Sequence, residues 1–217
     1  DHELTPMRPT RFATNAGGML PALCVSLLAA APAPLLAQAK ATAKPTPLEA
    51  SVDRLAKHPA VTAAFAALQT ENAWTLDQQA SICQIPAPPF KEQARAAEYA
   101  KRFRDLGVQN VRIDKEGNVI GEIRGARPGP TLMLAGHLDT VFPEGTDVRV
   151  KREGTKLIAP GIGDDCRGLA VVLAVTKQVI TQKIPFSGRL LVVGNVGEEG
   201  PGNLRGMRAI FAGPLRD

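Results

Sequence analysis

Residues 131–141 read Thr-Leu-Met-Leu-Ala-Gly-His-Leu-Asp-Thr-Val. The run up to Gly136, preceded by Gly129-Pro130, is short, apolar and bounded by turn residues, the pattern of a central strand buried on both faces. His137 and Asp139 follow directly. Two residues apart on extended chain, their side chains point to one side. A carboxylate so placed can accept from one imidazole nitrogen and leave the other as a metal ligand. Alone, His-x-Asp is a weak signal, because strand-end histidines are often ordinary hydrogen-bonded residues.

Outward from this strand the pattern alternates between helix and strand. Pro59 to Leu68 is Ala-rich, with Val61, Phe65 and Leu68 at helical spacing and a proline suited to a first turn. A second helical stretch, Asn72 to Cys83, must stop before Ile85-Pro86-Ala87-Pro88-Pro89-Phe90. Glu92 to Leu106 is helical again, with Ala96, Tyr99, Phe103 and Leu106 as one apolar stripe and Gly107 as its stop. The period then changes. Val111 to Ile113 and Val119 to Ile123 flank Glu116-Gly117-Asn118 and predict a hairpin. Downstream, Leu169 to Ile180 reads as an apolar helix, Arg189 to Val193 as a second buried strand, and Leu204 to Phe211 as a further helix. This order predicts an α/β domain: a layered mixed sheet with flanking helices.

The chain has 217 residues, enough for one domain with a sizeable core. Its 44% hydrophobic and 22% charged residues are those of a globular protein, and exclude a collagen, a disulfide-framed mini-protein or a polytopic membrane protein. The net charge is +5. The densest basic cluster, Lys101-Arg102-x-Arg104, has only Phe103 as an aromatic neighbour and reads as a solvated helix face. No nucleic-acid partner is expected.

Composition shifts at the N-terminus. Met7-Arg8-Pro9-Thr10-Arg11 precedes an apolar stretch from Met19 to Leu36, which closes with Ala37-Gln38-Ala39. These are the basic, apolar and small-x-small parts of an export signal. Pro21, Pro32 and Pro34 interrupt the stretch, so no stable membrane anchor is expected. Residues 1–39 are therefore expected to be a signal peptide, with Asp1 to Pro6 a spurious extension ahead of Met7. The mature chain would begin at Lys40 in the periplasm or outside the cell, with residues 40–50 a linker and 51–217 the folded domain. Cys24 falls in the apolar stretch. Cys83 and Cys166 would remain, and are expected to be independent, buried or half-buried thiols.

Two further motifs carry acidic residues. Pro160-Gly161-Ile162-Gly163-Asp164-Asp165-Cys166-Arg167-Gly168 leads into the Leu169 helix, where paired aspartates could simply cap it. The glycine spacing and ending of a phosphate-binding loop are missing. Gly197-Glu198-Glu199-Gly200 follows the Arg189 strand, and adjacent glutamates repel unless a cation lies between them. Ligands of α/β sheets bind at the carboxyl ends of strands, and all three motifs fall at strand ends or at a helix start. One histidine with several carboxylates suits a divalent metal, zinc among them. A carboxylate that does not bind the metal can act as general base.

Taken together, Gly-His-x-Asp-Thr-Val, Gly-x-Gly-Asp-Asp-x-x-Gly and Gly-Glu-Glu-Gly closely resemble the co-catalytic zinc exopeptidases of the aminoacylase, glutamate carboxypeptidase and peptidase T group. The resemblance runs from about Trp74 to the end of the chain and includes the Ile85-to-Phe90 turn. It implies a phosphorylase/hydrolase-like catalytic domain. It also implies that His137 binds one zinc, that Asp164 bridges two, and that Glu199 binds the second. Glu198 would be the general base and Asp139 would orient His137. Asp165 would lie beside the bridge, joined to Asp164 by a cis peptide, while Arg167, Thr140 and Cys166 receive no catalytic role. Cobalt or manganese could substitute for zinc. The substrate would be a small peptide or an N-acyl amino acid, giving an exopeptidase or, alternatively, an amidohydrolase. A module that binds metal or peptide without catalysis is the third reading.

Members of this group also need an acidic ligand beyond the paired glutamates and a histidine near the C-terminus, with a lid or dimerisation domain inserted between. The other histidines here, His2 and His58, lie upstream. With Asp164 shared, one ion would have only His137 and Asp164, and the other only Glu199 and Asp164. Catalytic zinc usually has more protein ligands than that. The chain therefore reads as the N-terminal part of an enzyme, with weak zinc binding and no turnover expected of it alone. Homodimerisation would run through the lid.

Overall fold

The computed structural model describes residues 46–213. The predicted signal peptide and the first residues of the predicted linker lie outside the described residues. The linker ends earlier than expected, because Pro47–Ala56 is a helix, α1. Thr46 caps it: its hydroxyl accepts from the Glu49 N–H, and the Glu49 carboxylate accepts from the Thr46 N–H. This reciprocal pair is a capping box, with Pro47 in the first turn. Two more helices follow, α2 (Pro59–Thr70) and α3 (Asn72–Cys83), and then α4 (Gln93–Asp105). The predicted apolar stripe of α2 is only partly used, since Phe65 is exposed and Ala64 is the buried residue. The stripe of α4 holds better: Ala96, Tyr99 and Phe103 are all buried.

The predicted hairpin forms from β1 (Gln109–Ile113) and β2 (Val119–Arg124). The apolar run that ends at His137 is the end of a longer strand, β3 (Arg127–His137). A small antiparallel pair, β4 (Lys151–Glu153) and β5 (Lys156–Ile158), was not anticipated, since its charged residues do not alternate with apolar ones. Helix α5 (Cys166–Thr181), strand β6 (Ser187–Asn195), a single 3₁₀ turn at Gly200–Gly202 and helix α6 (Arg205–Ala212) complete the described chain.

The main sheet is mixed, in the order β1-β2-β6-β3, with β3 parallel to β6 and the other neighbours antiparallel. Its register sets His137 opposite Asn195. The carboxyl ends of the two parallel strands therefore lie side by side. One apolar cluster, with Tyr99, Phe103, Leu138, Leu169, Leu173 and Val192, includes residues of α4, α5 and the sheet. A second includes Ile120, Leu191, Val193 and Ile210, to which α6 contributes. Within the first, the Tyr99 and Phe103 rings lie 4.6 Å apart, and the Tyr99 hydroxyl donates to the Leu169 carbonyl at 2.9 Å. A buried phenol needs such a partner. None of the described helices is long and apolar enough to cross a membrane.

Helix α5 is also tied to the start of α3. The Glu71 carboxylate accepts from Lys177 Nζ at 2.7 Å and from the Gln178 amide at 2.8 Å, and Lys177 Nζ stands 4.6 Å from the centre of the Trp74 ring. The Lys177 bond holds the Glu71 pKa below its ordinary value against a smaller effect of burial. A carboxylate with a depressed folded pKa stabilises above its unfolded pKa, and that contribution disappears as the pH falls through the folded value. Glu71→Gln is thus expected to destabilise the protein at pH 7 by about 0.5 kcal/mol, the scale of a half-exposed pair. The difference should vanish in strong acid. Urea midpoints of both proteins across pH would show it, and a difference independent of pH would contradict it.

Candidate metal centre

His137 closes β3, with its side chain largely buried. Its Nδ1 lies 3.0 Å from the Asp139 carbonyl oxygen, and a proton on Nδ1 donates there. Its Nε2 faces Asp164 Oδ1 at 2.8 Å. Asp164 is 77% exposed and rises from the loop before α5. Glu199 comes from the turn after β6. One ligand atom from each of His137, Asp164 and Glu199 can be chosen so that all lie within 4.8 Å of one another. These residues, separated by up to 62 positions in the sequence, meet because β3 and β6 are parallel neighbours and α5 begins beside them.

Asp139 acts differently from the expectation. Its carboxylate is fully buried and stands 3.7 Å from His137 Nδ1, outside hydrogen-bond range. It accepts instead from the backbone N–H groups of Glu198 (3.1 Å) and Glu199 (2.9 Å). The carbonyl of Asp139 orients the histidine, and its carboxylate fixes the turn carrying both glutamates. The two side chains do lie on one side, as their two-residue spacing on extended chain requires, but at 3.7 Å they are neighbours without a hydrogen bond.

Asp165 is the N-cap of α5, and its peptide bond with Asp164 is cis. One carboxylate oxygen accepts from the Gly168 N–H at 2.8 Å, the other from the His137 N–H at 3.0 Å. It is thus a helix cap that also fastens the α5 start to the end of β3. A Cβ on Gly168 would stand 2.0 Å from its Oδ1. Alanine normally improves a helix by about 1 kcal/mol over glycine. Here Gly168→Ala is expected to do the opposite, lowering stability by about 1–3 kcal/mol, because the carboxylate it displaces is held at both oxygens. A raised melting temperature would contradict this.

The electrostatics follow from crowding of acids around one imidazole. Burial works against the charged His137 ring, but the Asp139 and Asp164 carboxylates outweigh it and raise its pKa to about 9. Burial pushes the Asp165 and Glu199 carboxyls up, and the nearby Asp164 charge adds to both shifts. Burial also opposes the Asp139 charge, yet His137 and the two backbone donors keep its pKa below the ordinary value. Four acids thus crowd around one imidazole, with Arg95 as a further cation on the Asp139 side. A divalent ion placed among His137, Asp164 and Glu199 would relieve that repulsion, and its N/O donors suit zinc. The residues present fit a metal. Glu198 lies on the same turn and is exposed.

Sequence reasoning missed three supports. Arg95, 1% exposed, donates to the carbonyls of Ile85, Leu138 and Cys83. Read in sequence, it is one of many arginines on a polar helix. Arg205 pairs with both oxygens of the buried Glu92 at 2.9 Å and packs against Gly197, whose φ of +64° and closeness to Arg205 leave no room for a side chain. Finally, Cys83 and Cys166 are not independent thiols: they form a disulfide, with Cα atoms 5.4 Å apart. Their separation of 83 residues hid the pairing.

The comparisons with known proteins agree with this geometry. Residues 133–217 match the family model for peptidase family M20/M25/M40. Carboxypeptidase G2 of Pseudomonas sp. (strain RS-16) is 37% identical over 104 residues, 45% of this chain and 25% of that protein. The dipeptidase Dug1p of Saccharomyces cerevisiae shares the fold with a TM-score of 0.57 at 15% identity, over 71% of this chain and 39% of the other. The YXEP protein of Bacillus subtilis, described as a dinuclear metal-binding peptidase, does so with a TM-score of 0.50 at 13% identity, over 67% and 41%. The chain thus spans well under half the length of these three proteins. The motifs at the ends of β3 and β6 fall within the matched segment, so the residues that converge here are also the ones over which this chain is similar to peptidase family M20/M25/M40.

Proposed function

We propose that this chain forms the metal-binding part of an exported, zinc-dependent exopeptidase acting on small peptides. The convergence of His137, Asp164 and Glu199 at the carboxyl ends of two parallel strands carries this reading. His137, Asp164 and Glu199 would hold zinc. Bound zinc would polarise the scissile carbonyl and acidify a water molecule. Glu198, exposed beside Glu199 and unneeded as a ligand, would take the proton from that water and deliver it to the leaving amine. The Asp139 carboxylate supports this by fixing the Glu198 and Glu199 backbone, so both glutamates are placed by one buried group.

The test is a Co²⁺ titration of the full chain followed by visible absorption, with zinc as competitor. The proposal expects saturable binding that weakens in Asp164→Ala and Glu199→Ala, and no saturable binding would contradict it. Hydrolysis of dipeptides compared with N-acetyl amino acids by the protein containing this chain separates exopeptidase from amidohydrolase. The reading of residues 7–39 as an export signal predicts a mature N-terminus at Lys40. N-terminal sequencing of exported protein that begins at Met7 or earlier would contradict it.

A further inference from the structure

Asp164 is the most exposed of the three converging residues, and glycines at 161 and 163 flank its loop. Left to itself such a loop has many conformations. Helix α3 holds it at two places. The Gln79 amide, buried on α3, donates to the Ile162 carbonyl at 2.7 Å. One turn further along the same face, Cys83 is bonded to Cys166, two residues beyond Asp164. Both cysteines are fully buried, and the Cys83 carbonyl accepts from Arg95, so the anchor is itself held.

We propose that the Cys83–Cys166 disulfide and Gln79 are positioning residues for the metal centre. Together they clamp the loop 160–166 to α3 and hold Asp164 where His137 and Glu199 can share an ion with it. This rests on the metal-binding reading above. Groups that orient metal ligands without touching the metal typically contribute about 10–100-fold to affinity, because unheld ligands must be ordered at the moment of binding.

The experiment compares Co²⁺ affinity of the full chain, the Cys83→Ala/Cys166→Ala variant and Gln79→Leu, each checked by circular dichroism for folding. Mass spectrometry of the unreduced chain counts free thiols. The expected result is a bridged wild-type chain whose affinity falls about tenfold or more in the cysteine variant and about threefold or more in Gln79→Leu. Folded variants with unchanged affinity and only a lower melting temperature would overturn the proposal and leave the metal centre standing. Two free thiols in the folded wild-type chain would overturn the disulfide's part in it. A wild-type chain that binds no metal would overturn the metal reading itself and this proposal with it. Should the cysteine variant fail to fold, Gln79→Leu decides by the same criterion.

Discussion

Arg95→Met is expected to destabilise the protein by about 3–5 kcal/mol while leaving the volume of the side-chain stem nearly unchanged. The guanidinium donates to Ile85 O from Nε (2.9 Å) and Nη2 (2.6 Å), to Leu138 O at 2.7 Å and to Cys83 O at 3.3 Å. Cys83 ends α3, Ile85 follows it and Leu138 follows β3, so all three carbonyls lie at or just beyond the end of an element. Methionine would leave them buried without a donor, and each such group costs about 1–3 kcal/mol. It would also remove the cation that faces the fully buried Asp139. Burial lowers the Arg95 pKa to about 10, with Asp139 offsetting part of that, so the group is charged at neutral pH. Arg95→Lys should recover little, since one ammonium cannot span three carbonyls in the fork geometry. Guanidinium unfolding at pH 7 measures the effect, and a loss under about 1 kcal/mol would contradict the account.

Arg95 also shows where the sequence stops being informative. The helices and central strands could be read because burial imposes a period on residues close in sequence. Tyr99 and Phe103 on α4, and the apolar runs of β3 and β6, are examples. The site was legible for a related reason: His137 and the glycine-framed Glu198-Glu199 pair each follow an apolar strand, and the aspartate pair leads into an apolar helix. Arg95 had no such signal, because its partners lie 10, 12 and 43 residues away. The same holds for the Cys83–Cys166 bond. The role of Asp139 was half visible: the two-residue spacing placed its carboxylate beside His137, but its hydrogen bonds go to the backbone of Glu198 and Glu199, 59 and 60 residues away. Helix α1 could have been found from Thr46-Pro47-Leu48-Glu49, a capping box whose Leu48 is joined by Val52 and Leu55 at helical spacing.

The second large effect concerns the division of labour between Glu198 and the three converging residues. On the proposed reading Glu198 moves a proton and binds no metal. Glu198→Ala in the protein containing this chain is therefore expected to lower peptide turnover by about 10²–10⁴-fold, the usual range for a general base, with zinc content close to wild type. His137→Ala removes the only nitrogen donor among the converging residues. It leaves Asp164, Glu199 and Asp165 crowded without their histidine, and turnover should fall because the metal is lost. The two variants thus share a kinetic defect and differ in composition.

Zinc per chain after dialysis against a weak chelator, measured for wild type, Glu198→Ala and His137→Ala, tests this most directly. The account predicts wild-type zinc in Glu198→Ala and a clear loss in His137→Ala. Zinc lost from Glu198→Ala but kept by His137→Ala would contradict it.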